Sequence, residues 1–403
     1  MNPRDVYWLL DSRFDFLIPS FMREFGIKKS DMIFVNSYHS RERDDWNKIY
    51  IPLENKRSVV QMEPDEMNRI FSKKLNTDAK KMVISFSGAG LPQSDNIISL
   101  TATGETAEKC NDKWWQYCQF TMYQILTPET YQFHGLDEIQ AQFDTLIKVH
   151  QRIIIKRPGL SGGYKMAVLS SMSDFREYQK CNSESKDDFL VSAYIPHQQS
   201  FAAMGIIRKD GGVFFIPAIT EQVLYREVAY EGLIFPAFLD NKYKEEIQHK
   251  TEKIGEILKK NGYFGFYNVD YILGCDGQLY AMEINARWGF GTILAACLYR
   301  EQFWKVIQGV YTEEIQYPDH RLVIGKVKAR QGKKYAGLES YSNIVDWFEI
   351  PGKSFTSFFC GRERKEIFEY GSYIGIFGES FFIGEDREMM LKKFWRRCLE
   401  YYK

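Results

Sequence analysis

Short apolar runs alternate with polar, helix-compatible stretches through the first third of the chain. Residues 31–38 (DMIFVNSY), 81–88 (KMVISFSG) and 96–104 (NIISLTATG) read as strands, and their rhythm predicts a small α/β domain. Residues 111–130 (NDKWWQYCQFTMYQILTPET) predict a helix stopped near Pro128, with Trp115, Cys118, Met122 and Ile125 as its apolar stripe. Residues 151–171 read as strand, glycine-rich loop, strand. Residues 189–219 add further strands, with a hairpin signal at Asp210-Gly211-Gly212. A helix follows from about residue 240 to 260 with Tyr243, Ile247, Ile254 and Leu258 on its apolar face, and Asn261-Gly262 stops it. Between these, residues 218–238 (AITEQVLYREVAYEGLIFPAF) read as a loop. After Asp319 short strands lead to a closing helix whose Leu391, Phe394, Trp395, Cys398, Leu399 and Tyr402 share one face. The pattern changes character near residues 110 and 318.

Length narrows this little: 403 residues allow roughly two to four domains. The apolar fraction of 44% is ample for buried cores. Fifty-three basic residues balance 53 acidic ones, which argues against binding driven by phosphate neutralisation on nucleic acid or an acidic membrane. The 7 cysteines are scattered and form no C-x-x-C pair, which fits a reducing compartment. The first residues carry charges throughout and lack a signal-peptide core, and no apolar run approaches the ~20 residues of a membrane span. The expectation is a soluble cytoplasmic protein with no nucleic-acid or membrane partner.

Candidate chemistry is concentrated in residues 268–292, NVDYILGCDGQLYAMEINARWGFGT. Two apolar strands flank Asp276-Gly277, taken as a two-residue turn. Cys275 then pairs with Gln278, and Asp270 falls opposite Glu283. Glu283 and Asn285 share that face, while Tyr280, Met282 and Ile284 point to the core. Two carboxylates and an amide carbonyl converge, with Arg287 adjacent. All three are hard oxygen donors and suit Mg2+, whereas the carboxylates alone would repel. The plainer alternative is a solvated strand end.

Mg2+ held by few carboxylates usually awaits substrate phosphates. Lys156 ends an apolar strand and precedes a glycine-rich run, in which Ser161, Gly162 and Gly163 would let backbone N–H groups approach a phosphate. The run does not match the P-loop pattern.

As a set, these residues resemble the ATP-grasp superfamily over about residues 110 to 290. The pattern is a first lysine at a helix start (Lys113), a second before a glycine-rich flap (Lys156), a hinge (LVSAYIP, 190–196) and a hairpin of the form D…E-x-N-x-R (Asp270, Glu283, Asn285, Arg287). The resemblance implies an α/β chain, α+β in parts. It would comprise a pre-ATP-grasp domain (1–110), an ATP-grasp domain (111–317, flap around 151–190) and a small β-rich C-terminal domain (318–403). It implies ATP and Mg2+ as cofactors, two ions with Mn2+ able to substitute. Glu283 would bridge the ions, and Asp270 and Asn285 would complete their shells. Lys113 and Lys156 would hold phosphate oxygens. Ser192, Ala193, Tyr194, Ile195 and Gln199 would surround the nucleoside, and Arg287 would stabilise developing negative charge. The hinge departs from the family: Ser192 stands where glutamate is common, and Gln198 and Gln199 where an acid holds the ribose.

The activity implied is a carboxylate–amine ligase acting through an acyl phosphate on small-molecule or peptide substrates, in the manner of L-amino-acid and natural-product peptide ligases. Glu221, Arg226 and Glu231 are candidate substrate contacts, and a homodimer is the implied assembly. Rival readings are a biotin carboxylase-like carboxylase and a non-catalytic nucleotide-binding protein on the same fold.

Overall fold

The computed structural model describes residues 5–10, 17–36, 47–50, 64–76, 78–158, 166–182, 188–225, 228–235, 237, 239–299, 302–308, 321–327 and 372–379. The expected closing helix and the glycine-rich run at 159–165 lie outside the described residues.

The chain opens with a five-stranded parallel sheet in the order β3-β2-β1-β4-β5. Its strands are β1 (Val6–Trp8), β2 (Met32–Asn36), β3 (Asn47–Tyr50), β4 (Lys81–Ile84) and β5 (Ile97–Ser99), with α1 (Ile18–Phe25) and α2 (Pro64–Ser72) alongside. Val6 and Trp8 enter one core with Phe21 of α1, while Tyr7 enters another with Phe71 of α2. Covered on both faces, such strands carry no polar alternation. This is why β2, β4 and β5 stand out as apolar runs while the three-residue β1 is missed.

Next come α3 (Gly104–Asn111) and α4 (Lys113–Met122). The Asp112 carboxylate caps α4 by accepting the Trp115 backbone N–H at 2.7 Å. The expected apolar stripe holds only in part: Trp115 packs against the core and Ile125 lies in it. α4 buries Lys113, Gln116 and Phe120, Met122 is 70% exposed, and Ile125 is buried beyond the helix end. The inward face mixes Phe120 with the polar Gln116, which satisfies the backbone of a neighbouring strand, so hydrophobic periodicity reads it only in part.

A four-stranded sheet, β6-β9-β7-β8, follows. It comprises β6 (Thr130–His134), β7 (Ile153–Lys156), β8 (Ala167–Leu169) and β9 (Asp188–Ala193), with α5 (Leu136–His150) and α6 (Met172–Cys181) packed on it through Phe143 and Phe175.

The largest sheet runs β14-β13-β10-β11-β12-β15-β16. Its strands are β10 (His197–Ile207), β11 (Val213–Tyr225), β12 (Ala229–Phe235), β13 (Gly265–Gly274), β14 (Leu279–Asn285), β15 (Arg321–Val327) and β16 (Ser372–Glu379). The segment 218–238 is therefore mainly strand, not loop. Its charges and Pro236 suggest a loop; Pro217, just before it, falls where two extra residues of β11 are accommodated, between the pairs Met204↔Ile216 and Ala202↔Thr220.

The helix α7 (Asn241–Lys260) matches expectation and covers one face through Ile247, Ile254 and Leu258. Its approach is close. The Tyr267 ring lies against both Gly205 of β10 and Gly255 of α7, where a Cβ would collide with it. The other face packs through Met204, Ile206 and Phe266 against the N-terminal sheet, α8 (Phe290–Tyr299) and α9 (Phe303–Gln308). Among the described residues no helix is long and apolar enough to cross a membrane, and Cys110, Cys118, Cys181 and Cys275 are free thiols.

Candidate functional site

The site is built on the β13–β14 hairpin. Asp270 does lie opposite Glu283, and Asn268 opposite Asn285. The turn differs from expectation. Gly274 N–H bonds to Gln278 C=O at 2.9 Å, so Cys275, Asp276 and Gly277 form a three-residue loop, with Gly277 at φ 77°. That loop alone would shift the register by one residue. A bulge at Met282, between the pairs Tyr271↔Ala281 and Asp270↔Glu283, restores it. The core face consequently changes parity: Leu279, Ala281 and Ile284 are buried. Tyr280 and Met282, expected in the core, are only partly buried, and the Tyr280 hydroxyl donates to Asp276 at 2.7 Å.

β14 is a sheet edge whose outward backbone groups need partners. Two side-chain amides missed in the sequence supply them. Gln116 of α4 accepts from Ile284 N–H at 2.9 Å and donates to Ile284 C=O at 2.7 Å. Asn111, ending α3, does the same for Ala286, at 3.1 and 3.0 Å. The segment Asn111–Gln116 therefore runs beside β14 and carries Lys113 to Glu283, where Nζ lies 3.4 Å from Oε1. Lys113 is 8% exposed and also donates to the Pro158 carbonyl at 3.3 Å, at the stem of the glycine-rich run.

Lys156, at the end of β7, feels both charges. Burial lowers its ammonium to about 8, Glu283 opposes that shift and Lys113 reinforces it. Asp270 is pushed up to about 7, chiefly by burial and then by the Glu283 carboxylate, against the pull of Arg287 and hydrogen bonds from Gln222 and Asn285. Such a pair invites a cation. Among the described residues no three His, Cys, Asp or Glu side chains form a metal cluster. Two carboxylates and an amide fit Mg2+ that completes its shell with water and phosphate.

Arg287 donates to Asn285 Oδ1 at 2.6 Å and to Asn111 Oδ1 at 3.2 Å. Asn285 in turn donates to Asp270 at 3.1 Å. Asn268 donates to the Arg287 carbonyl at 3.3 Å, another contact absent from the sequence reading. The guanidinium is thus held by amide oxygens, while Glu283 makes its ion pair with Lys113.

Ser192, Ala193 and Tyr194 of the hinge are uncharged and buried. Ser192 shares a 2.9 Å hydroxyl contact with Thr130 of β6. The Ala193 and Tyr194 N–H groups donate to the Glu129 and Arg152 carbonyls, and the Ile195 carbonyl contacts His197 Nδ1 at 3.1 Å. The Arg152 guanidinium lies 3.9 Å from the Tyr194 ring centre. Gln199 donates to Glu221 at 3.4 Å.

Glu221 is fully buried on β11, in register with Phe201, so it stands on the α7 face rather than beside Asp270. Glu231 lies on β12, while Arg226, Ser161, Gly162 and Gly163 lie outside the described residues.

No family model matches the chain. It is 26% identical over 157 residues to the butirosin acyl-carrier-protein–L-glutamate ligase of Niallia circulans, covering 38% of this chain and 37% of that one. It is 35% identical over 86 residues to the L-propargylglycine–L-glutamate ligase of Streptantibioticus cattleyicolor, covering 21% and 17%. The alignments thus span well under half of either relative. Solved structures match over far more of the chain. N5-carboxyaminoimidazole synthetase from Staphylococcus aureus superposes with a TM-score of 0.62 at 10% identity, covering 98% of each chain. Biotin carboxylase from Campylobacter jejuni gives 0.65 at 12% identity, covering 94% and 88%. The biotin carboxylase domain of Hydrogenobacter thermophilus 2-oxoglutarate carboxylase, solved with MgADP and bicarbonate, gives 0.66 at 14%, covering 93% and 86%.

Proposed function

We propose that this chain, which has the ATP-grasp fold, is an ATP-dependent carboxylate–amine ligase. The observation that carries this reading is the meeting of Lys113, Lys156 and Glu283 opposite Asp270. Cations for a triphosphate and oxygen donors for its metal occupy one place. Both sequence relatives are named as L-glutamate ligases, so an amino acid, glutamate first, is the proposed substrate class.

A carboxylate is a poor electrophile. Transfer of the γ-phosphoryl group forms a bond from carboxylate oxygen to phosphorus as the bond to the ADP oxygen breaks. An amine then attacks the acyl carbon, the new C–N bond replaces the C–O bond to phosphate, and the nitrogen loses a proton to water or a carboxylate. Two Mg2+ ions, when bound, would offset triphosphate charge and stabilise the charge developing on transfer. Glu283, Asp270 and Asn285 would hold them. Lys113 and Lys156 would hold phosphate oxygens from the two flanking elements. Lys113 would exchange its Glu283 contact for one with phosphate. Arg287 would direct its fork at the acyl phosphate or the tetrahedral oxyanion. The Asn111 and Asn285 oxygens orient that fork without neutralising it.

The test is phosphate release from Mg-ATP with pooled amino acids, L-glutamate alone and bicarbonate as separate arms, with product masses read alongside. Release that needs an amino acid and intact Glu283, with a product mass of acid plus amine minus water, is expected. Release that follows bicarbonate alone would replace this reading with a carboxylase. ATP binding without turnover in every arm would replace it with a non-catalytic binder.

A further inference from the structure

On the site face of the large sheet, Asp270 of β13 is in register with Ala202 of β10, and Ala202 with Thr220 of β11. Gln222, two residues along β11 from Thr220, is in register with Ser200 and shares this face. Its side chain crosses β10 diagonally and donates from Nε2 to Asp270 Oδ1 at 2.9 Å. Ser200 and Ala202 lie beneath the crossing, and their small side chains leave it open. Ser200 Oγ donates to Gln222 Oε1 at 2.7 Å. The amide orientation follows from chemistry: an ionised carboxylate only accepts, so Nε2 faces Asp270 and Oε1 faces the hydroxyl. Asn285 donates to the other oxygen, Oδ2, at 3.1 Å. One donor on each oxygen fixes the rotation of the carboxylate about its Cβ–Cγ bond and leaves each oxygen further lone pairs.

We propose that Gln222, held by Ser200, is a positioning residue that sets the Asp270 carboxylate in the orientation needed for a divalent metal–nucleotide complex. This rests on the metal reading given above. Asn285 and Glu283 follow from the spacing of one short strand, whereas Gln222 comes from β11, reaching across β10, and bears no motif. The mechanism is that of an outer hydrogen bond to a metal ligand: without it the carboxylate samples rotations that cannot engage the ion, and affinity falls.

The experiment measures Mn2+ binding at saturating ADP, by loss of the free-ion electron paramagnetic resonance signal, together with ADP binding without metal by calorimetry. Gln222→Met keeps the length of the side chain and removes both hydrogen bonds. It is expected to weaken Mn2+ by about 10–100-fold. Ser200→Ala frees only the far end of the amide and is expected to weaken it by a smaller factor, about 3–10-fold. ADP binding without metal should stay unchanged in both. Mn2+ affinity within about twofold of the unaltered chain in both variants would overturn the proposal. So would a parallel loss of metal-free ADP binding, which would make Gln222 a nucleotide contact. Should Gln222→Met not fold, Ser200→Ala decides by the same readings. Asp270→Asn separates the two levels. If it too leaves Mn2+ binding intact, the metal reading fails; if it abolishes binding while the Gln222 and Ser200 variants do not, only the positioning role fails.

Discussion

The β10–β11 and β13–β14 hairpins share a turn and differ in what their strands do next. Each closes through a three-residue loop ending in Asp-Gly, with Gly211 at φ 95° and Gly277 at φ 77°. In β11 two extra residues around Pro217 are absorbed, and an even number leaves the face of every later side chain unchanged. In β14 the single extra residue, Met282, puts Met282 and Glu283 on the same side of the strand. The first irregularity therefore preserves a structural alternation, and the second brings Glu283 opposite Asp270. An Asp-Gly dipeptide announces positive φ at its glycine but does not state loop length, and only the parity of the later bulge decides which residues meet.

Substitutions can break that contrast. The largest effect is expected from Glu283→Ala, which removes a proposed metal ligand and the Lys113 partner together. ATP-dependent phosphate release should fall by about a hundredfold or more. Arg208→Ala, on the other hairpin, should leave turnover unchanged within about twofold, since Arg208 pairs with Asp210 in that loop and lies over the Phe214 ring. Arg287→Lys comes next, with a loss of about 10–100-fold in turnover, because an ammonium cannot reproduce the fork held by Asn285 and Asn111. Metal-free nucleotide binding should not change, and a parallel fall there would remove Arg287 from the chemistry.

Acidity sharpens the contrast further. Asp270 titrates near 7 in the metal-free protein, so below that value a metal ion must displace its proton. Mn2+ affinity should rise about tenfold per pH unit up to about 7 and flatten above it. The sign for stability is opposite. A raised carboxyl favours the folded protein at low pH, and that contribution is lost as pH climbs from about 4 through 7. Thermal melts of the metal-free chain and of Asp270→Asn should therefore diverge in the variant's favour as pH rises. A constant gap would mean that Asp270 is not the group responsible.

Smaller effects test the scaffold. Asn111→Ala leaves the Ala286 amide and carbonyl without their partner at the β14 edge, at about 1–3 kcal/mol of stability. Gly277→Ala and Gly211→Ala form a matched pair: neither added methyl meets an atom closer than 3.7 Å, so each carries only the positive-φ penalty, about 1–2 kcal/mol. Comparable shifts in melting temperature are expected. Only Gly277→Ala should also weaken Mn2+ at saturating ADP, because its turn feeds the strand that carries Glu283.

Much of this site is legible along the chain because its groups are side chains at fixed local spacing. Asp270, Glu283, Asn285 and Arg287 stand out by their residue types and spacing, although the pairing of Asp270 with Glu283 arises from a three-residue loop offset by a bulge and not from the short turn expected. The hinge is less legible: its N–H groups at Ala193 and Tyr194 already serve neighbouring carbonyls, and backbone engagement leaves no mark in residue type. The α4 stripe misleads for a related reason. Gln116 looks like a surface residue until its bonds to Ile284, 168 positions away, place it inside.

Local order along the chain therefore carries the alternation of strands and helices, the extent of α7, and the residues proposed to hold a cation and phosphate. Tertiary structure alone decided that a bulge offsets a longer turn, that Asn111 and Gln116 bind the edge of β14, and that Gln222 reaches Asp270 across a strand. The division has a physical cause. Periodicity and turn chemistry act over a few residues and can be read from their order. Register, edge satisfaction and reach across a sheet depend on which distant segments pair, and that is settled only when the backbone groups of the whole sheet find partners.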